Sequence, residues 1–176
     1  MKPISQENSK LGFVGIGYMG KPIVRKLLES GFKVTAYDRD HSKSEELIHY
    51  GGTVAQSISE LASSCNVLLS CLPSDEAVLS IYRGPSGVFA NARPGLLVID
   101  LSTVYPLTSK ELTRLSSEHG VEVLDVTISG STPAAENALL TLFGGGNKEC
   151  FEAAESIFRV SPRNTFILGP AAPGRR

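Results

Sequence analysis

Six residues, Gly15-Ile16-Gly17-Tyr18-Met19-Gly20, constrain this chain more than any others because of what stands on either side of them. Leu11 to Ile16 is an apolar run without alternation, which reads as a strand buried on both faces. Lys21 to Ser30 then puts Ile23, Val24, Leu27 and Leu28 on one helical face, with Gly31 just past its end. A second strand, Phe32 to Asp38, ends on an acidic residue 18 positions after Gly20. A glycine-rich hexapeptide alone is a weak signal; between a buried strand and an amphipathic helix it marks a dinucleotide-binding turn. Gly15 permits the tight turn, Gly17 lets the main chain approach a pyrophosphate, and Gly20 allows close helix–strand packing. The helix start near Met19 aims its free N–H groups at the phosphates, so the whole hexapeptide is the candidate cofactor loop. Asp38 stands where a carboxylate accepts hydrogen bonds from an adenosine ribose, which favours NAD. Arg39 beside it is able to pair with a 2′-phosphate, which keeps NADP open.

The same rhythm continues. Ser42 followed by Glu45 predicts a capped helix over Lys43 to Tyr50, closed by Gly51-Gly52. Further strands are predicted at Thr53-Val54, Val67 to Leu72, Leu96 to Leu101, Val121 to Val126, Leu139 to Phe143 and Thr165 to Leu168. Helices are predicted at Ser57 to Ser63, Asp75 to Tyr82, Pro106 to His119 and Lys148 to Val160. Strands alternating with helices imply an α/β, Rossmann-type, doubly wound fold with a mainly parallel sheet. Residues 1–10 are polar and predict a disordered lead-in, 11–168 a single dinucleotide-binding domain, and 169–176, rich in Gly, Pro and Ala, the start of a linker.

Composition excludes several functions. With 17 basic against 18 acidic residues and a net charge of −1, the chain predicts no nucleic-acid surface. No stretch reaches the roughly 18 apolar residues of a membrane span, and the start lacks an apolar leader core. Cys65, Cys71 and Cys150 are an odd count without a CxxC pair, so core thiols in a reducing, cytoplasmic setting are expected. His41, His49 and His119 have no metal-ligand spacing, and no metal site is expected.

Four segments in order then resemble the β-hydroxyacid dehydrogenase family, from Leu11 to about Gly174. They are Gly12 to Gly20, Leu69 to Pro73, Asp100-Leu101-Ser102-Thr103-Val104-Tyr105-Pro106, and Asp125-Val126-Thr127-Ile128-Ser129-Gly130-Ser131 with its continuation to Gly146. The resemblance implies cofactor contacts from Leu72, Pro73 and Thr103. It also implies a substrate carboxylate held by Ser129 and Gly130, with Ser131 beside them, a hydroxyl and adjacent amides being able to form an anion nest. This chain departs from the family's pattern at Ala77, at Val126-Thr127, and at Ser131, Ala134 and Ala138, the last three standing where members carry glycine.

The resemblance further implies a catalytic lysine about one helical turn beyond Gly174, on a helical second domain, and a homo-oligomeric full-length form. Neither the lysine nor the helical domain occurs within the 176 residues. Arg175 and Arg176 cannot replace the lysine, since a guanidinium stays protonated. The expectation is therefore an NAD(P)-binding domain of an oxidoreductase acting on a small hydroxy acid or semialdehyde, without turnover of its own. A non-catalytic nucleotide-binding or interaction module is the alternative.

Overall fold

A computed structural model describes residues 1–160 and 162–169. Eight strands form one sheet in the order β3-β2-β1-β4-β5-β6-β7-β8. They are β1 Lys10–Val14, β2 Lys33–Tyr37, β3 Thr53–Val54, β4 Val67–Ser70, β5 Leu97–Asp100, β6 Glu122–Ser129, β7 Leu140–Gly145 and β8 Pro162–Gly169. The first six are parallel, with the reversal of strand order falling between β1 and β4. A ligand crevice belongs at that reversal, outside the carboxyl ends of the strands.

The unalternating strands feed two cores. Leu11 and Phe13, Val67 and Leu69, and Leu97 and Ile99 enter one apolar cluster; Val14, Leu68 and Val98 enter the other. Side chains two apart share a face, so a strand between two helical layers must be apolar throughout. Helix α1, Gly20–Glu29, covers the first face through Ile23, Val24 and Leu27. On the second face lie α3, Ile58–Ser64, and α4, Asp75–Tyr82, with Leu61, Val78 and Tyr82 buried. The doubly wound expectation is met.

Four details differ from the sequence reading. The N-terminal segment is anchored at Ile4, which is buried: its N–H donates to Ala153 O at 2.8 Å, and its carbonyl accepts Ser156 Oγ at 2.6 Å. One apolar residue with two hydrogen bonds anchors an otherwise polar segment. The helix after β2 begins two residues early, as α2 His41–Glu45, because Asp40 caps it and accepts from Ser42 N and Oγ. It tightens into a 3-10 turn over Glu46–Tyr50. Glu45 therefore closes no capping box.

Strand β7 runs antiparallel to β6. Only residues 130–139 join them, carrying a single short helix, Thr132–Glu136, and a parallel return needs a longer crossover. Ala138 in that connection has φ 56, a conformation that costs a non-glycine residue about 1 kcal/mol. Finally, the helix read over Lys148 to Val160 breaks at Ala154 into Lys148–Ala153 and Glu155–Phe158. The break lets Phe158 pack on Phe151, ring centroids 5.5 Å apart, with both rings buried. Of the expected linker, Gly169 ends β8, and 170–176, with Arg175 and Arg176, lie outside the described residues.

Candidate cofactor cleft

The carboxyl ends of β1, β2 and β4 open onto one cleft of about 460 Å³. Its wall includes Gly15, Gly17, Tyr18, Met19, Gly20, Asp38, Arg39, Leu72 and Pro73. Of the eleven cofactor residues the sequence predicts, Ile16 and Thr103 do not line it; Ile16 is buried and borders the neighbouring cavity with Gly17 and Lys21.

The three loop glycines meet three different demands. Gly15 has φ +94, and a Cβ there would lie 2.3 Å from Cys71 O, so the loop rests directly on the turn after β4. At Gly20 a Cβ would lie 1.9 Å from Gly15 O, which is the close helix–strand approach expected of the third glycine. Gly17 is the opposite case: its Cβ position has nothing within 4 Å. That open space lies beside the start of α1, the kind of helix N-terminus that favours anions.

Asp38 does two things. Its Oδ2 accepts Ile16 N–H at 2.7 Å, fixing the first turn of the loop, and its Oδ1 accepts Asp40 N–H at 2.9 Å. A carboxylate has about four acceptor positions, so about two remain beyond these contacts. Arg39 and Lys43 stand on the same wall, and Lys43 Nζ is 4.0 Å from Asp40. Lys43 was not singled out in the sequence; its spacing four residues after Arg39, on the short α2, was the signal available.

A buried polar cluster lies behind the cleft. Tyr82 OH and Ser70 Oγ are 2.6 Å apart, Ser70 Oγ donates to Asp100 Oδ1 at 2.7 Å, and Ser102 Oγ donates to the same oxygen at 2.6 Å. Burial raises the Asp100 carboxyl above the usual range, against the pull of the Ser102 and Ser70 hydrogen bonds. Burial likewise pushes the Cys71 thiol up to about 12, with Asp100 adding to it, and the Cys65 thiol up to about 12. Cys65 is buried as the core reading expects, whereas Cys71 is only partly buried and lines the cleft.

Thr103 is exposed at the end of β5, next to Ser102. Ser129 ends β6 at the same edge of the sheet, followed by Gly130, with φ 145, and Ser131, all exposed. This segment reaches the cofactor loop through Thr132, whose Oγ1 is 3.9 Å from Met19 Sδ. Among the described residues no group of His, Cys, Asp and Glu is arranged to hold a metal, and no helix is long and apolar enough to cross a membrane.

Sheet order, glycine loop and acidic residue at the end of β2 together define a dinucleotide-binding domain. Residues 10–169 match the family model described as the NAD binding domain of 6-phosphogluconate dehydrogenase. The chain belongs to that family, as the N-terminal NAD(P)-binding domain of the β-hydroxyacid dehydrogenase group. It is 31% identical over 166 residues to an NAD-dependent L-serine dehydrogenase of Pseudomonas aeruginosa, covering 94% of this chain and 56% of that protein. It is also 31% identical to the human cytokine-like nuclear factor N-PAC, covering 94% of this chain and 30% of that one. A solved 3-hydroxyisobutyrate dehydrogenase of Mycobacterium tuberculosis, studied with L-serine, superposes with TM-score 0.87 at 28% identity, over 92% of this chain and 55% of the other. The chain thus spans about half the length of the two dehydrogenases.

Proposed function

We propose that this domain holds the cofactor of an oxidoreductase that interconverts a short β-hydroxy acid and its semialdehyde or keto acid. The observation that carries the proposal is the meeting of two segments at one end of the sheet: the open loop at Gly17 and the Ser129–Ser131 stretch, linked through Thr132 and Met19. The loop amides and the start of α1 bind the diphosphate, Asp38 accepts from the adenosine ribose, and Leu72 and Pro73 border the nicotinamide half, with Thr103 exposed after β5 outside the cleft wall. Two free acceptor positions on Asp38 support NAD over NADP, since the same carboxylate repels a 2′-phosphate. Bound nicotinamide supplies the hydride chemistry. Ser129 Oγ and the main-chain N–H groups of Gly130 and Ser131 hold the substrate carboxylate. Lys21 and Lys43 line a neighbouring cavity with Gly17 and Thr132, where Lys21 is paired with Glu46, and Lys43 also stands with Arg39 on the wall beside Asp38. In this reading neither lysine is the acid/base that exchanges a proton with the alcohol oxygen, a role assigned to another part of the enzyme. Three unpaired thiols suit a reducing compartment such as the cytosol, and a homo-oligomer is the assembly this reading carries.

In the NADH-loaded chain, 3-hydroxyisobutyrate or L-serine at millimolar concentration is expected to shift the amide resonances of residues 129–131. Ser129→Ala removes the shift, and with NAD+ in place of NADH turnover stays at background with every hydroxy acid. Unmoved amides contradict the substrate reading, and a clear rate contradicts the absence of an acid/base.

A further inference from the structure

The parallel ladder ends with Cys71 N–H, which donates to Val14 O at 2.9 Å, and Leu101 N–H, which donates to Ser70 O at 2.7 Å. Leu72 N–H is the next amide along and has no strand beside it; it donates instead to Ser102 Oγ at 2.9 Å. Ser102 is 2% exposed, and its hydroxyl proton is committed to Asp100 Oδ1, so its oxygen is turned toward Leu72. Asp100, also 2% exposed, is in turn fixed by Ser70 and by Ser102 N–H at 3.2 Å.

What this chain of bonds holds is the floor of the cleft. A Cβ on Gly15 would touch Cys71 O at 2.3 Å and Leu72 Cδ2 at 3.0 Å, so the turn after β4 and the cofactor loop are in contact. Leu72 and Pro73 are themselves part of the cleft wall. We propose that Ser102, oriented by Asp100, is a positioning residue that sets both the Leu72–Pro73 wall and the seat of the Gly15–Gly20 loop. This rests on the cofactor reading of the cleft. Tyr82 belongs to the same buried cluster but joins it at Ser70 and makes no hydrogen bond to Ser102 or Leu72, and so provides an internal control.

The test titrates NADH into the 176-residue chain and its Ser102→Ala and Tyr82→Phe variants, following cofactor fluorescence, with thermal unfolding measured on each. Ser102→Ala leaves the Leu72 amide without its acceptor and is expected to raise the Kd about tenfold and move the emission of bound NADH toward that of the free cofactor. Tyr82→Phe is expected to lower the unfolding midpoint while the Kd stays within about twofold, since it removes a buried hydrogen bond that does not reach the cleft. Equal binding by wild type and Ser102→Ala overturns the proposal, as does a Kd that rises equally in both variants. Absence of binding by the wild type overturns the cofactor reading, and this proposal with it.

Discussion

Gly17→Val is expected to leave the thermal unfolding midpoint within about 2 °C of wild type and to weaken NADH binding by about 100-fold or more. The two halves of that result come from one observation. A Cβ at Gly17 meets nothing within 4 Å, and the residue lies outside the left-handed region, so folding has no objection to a side chain there. The space is nevertheless on the cleft wall, where the proposed function seats the diphosphate. Two methyl groups in it displace the phosphates from their donors, and several hydrogen bonds to a charged group are lost together. Calorimetric titration and a thermal melt of the same sample check both halves. Unchanged affinity would mean that the loop does not seat a diphosphate.

Gly20→Ala is expected to fail in the opposite way, lowering the unfolding midpoint by about 10 °C. Its Cβ would lie 1.9 Å from Gly15 O and 3.1 Å from Phe13 Cε1, with main chain on one side and a buried ring on the other. Neither gives way cheaply, so α1 must lift from β1, losing the packing of Ile23, Val24 and Leu27 against the core. A cost of about 3 kcal/mol follows for a domain of this size. Differential scanning calorimetry reads it directly, and a midpoint within about 2 °C of wild type would show that the helix–strand approach is looser than described. Two glycines three residues apart thus serve different ends, one the ligand and the other the fold.

Much of this was legible in the sequence. The runs Leu11 to Ile16, Val67 to Leu72 and Leu96 to Leu101 lack alternation because each strand feeds both clusters, and that pattern alone required helices on both faces. Gly15, Gly17, Gly20 and Asp38 were legible because their spacing encodes a single turn and the strand beside it. What was not legible is long-range. The reversal of β7 depends on how little chain joins it to β6, and its composition resembles that of any other buried strand. Ile4 docks against Ala153 and Ser156, a contact spanning nearly the whole chain and invisible to a local reading of a polar segment. In the cleft, Asp100 and Ser102 sat inside a quoted motif, yet their work is done through Leu72, 30 residues away from Ser102. Local spacing predicts what faces the ligand; it does not predict what holds the wall upright.

The central claim is that this chain binds a nicotinamide dinucleotide through the Gly15–Gly20 loop and Asp38. The most direct measurement is calorimetric titration of the 176-residue chain with NADH and with NADPH. Saturable binding of one molecule per chain is predicted, tighter for NADH than for NADPH because Asp38 accepts from ribose hydroxyls and repels a 2′-phosphate. Absence of saturable binding of either dinucleotide would contradict the claim.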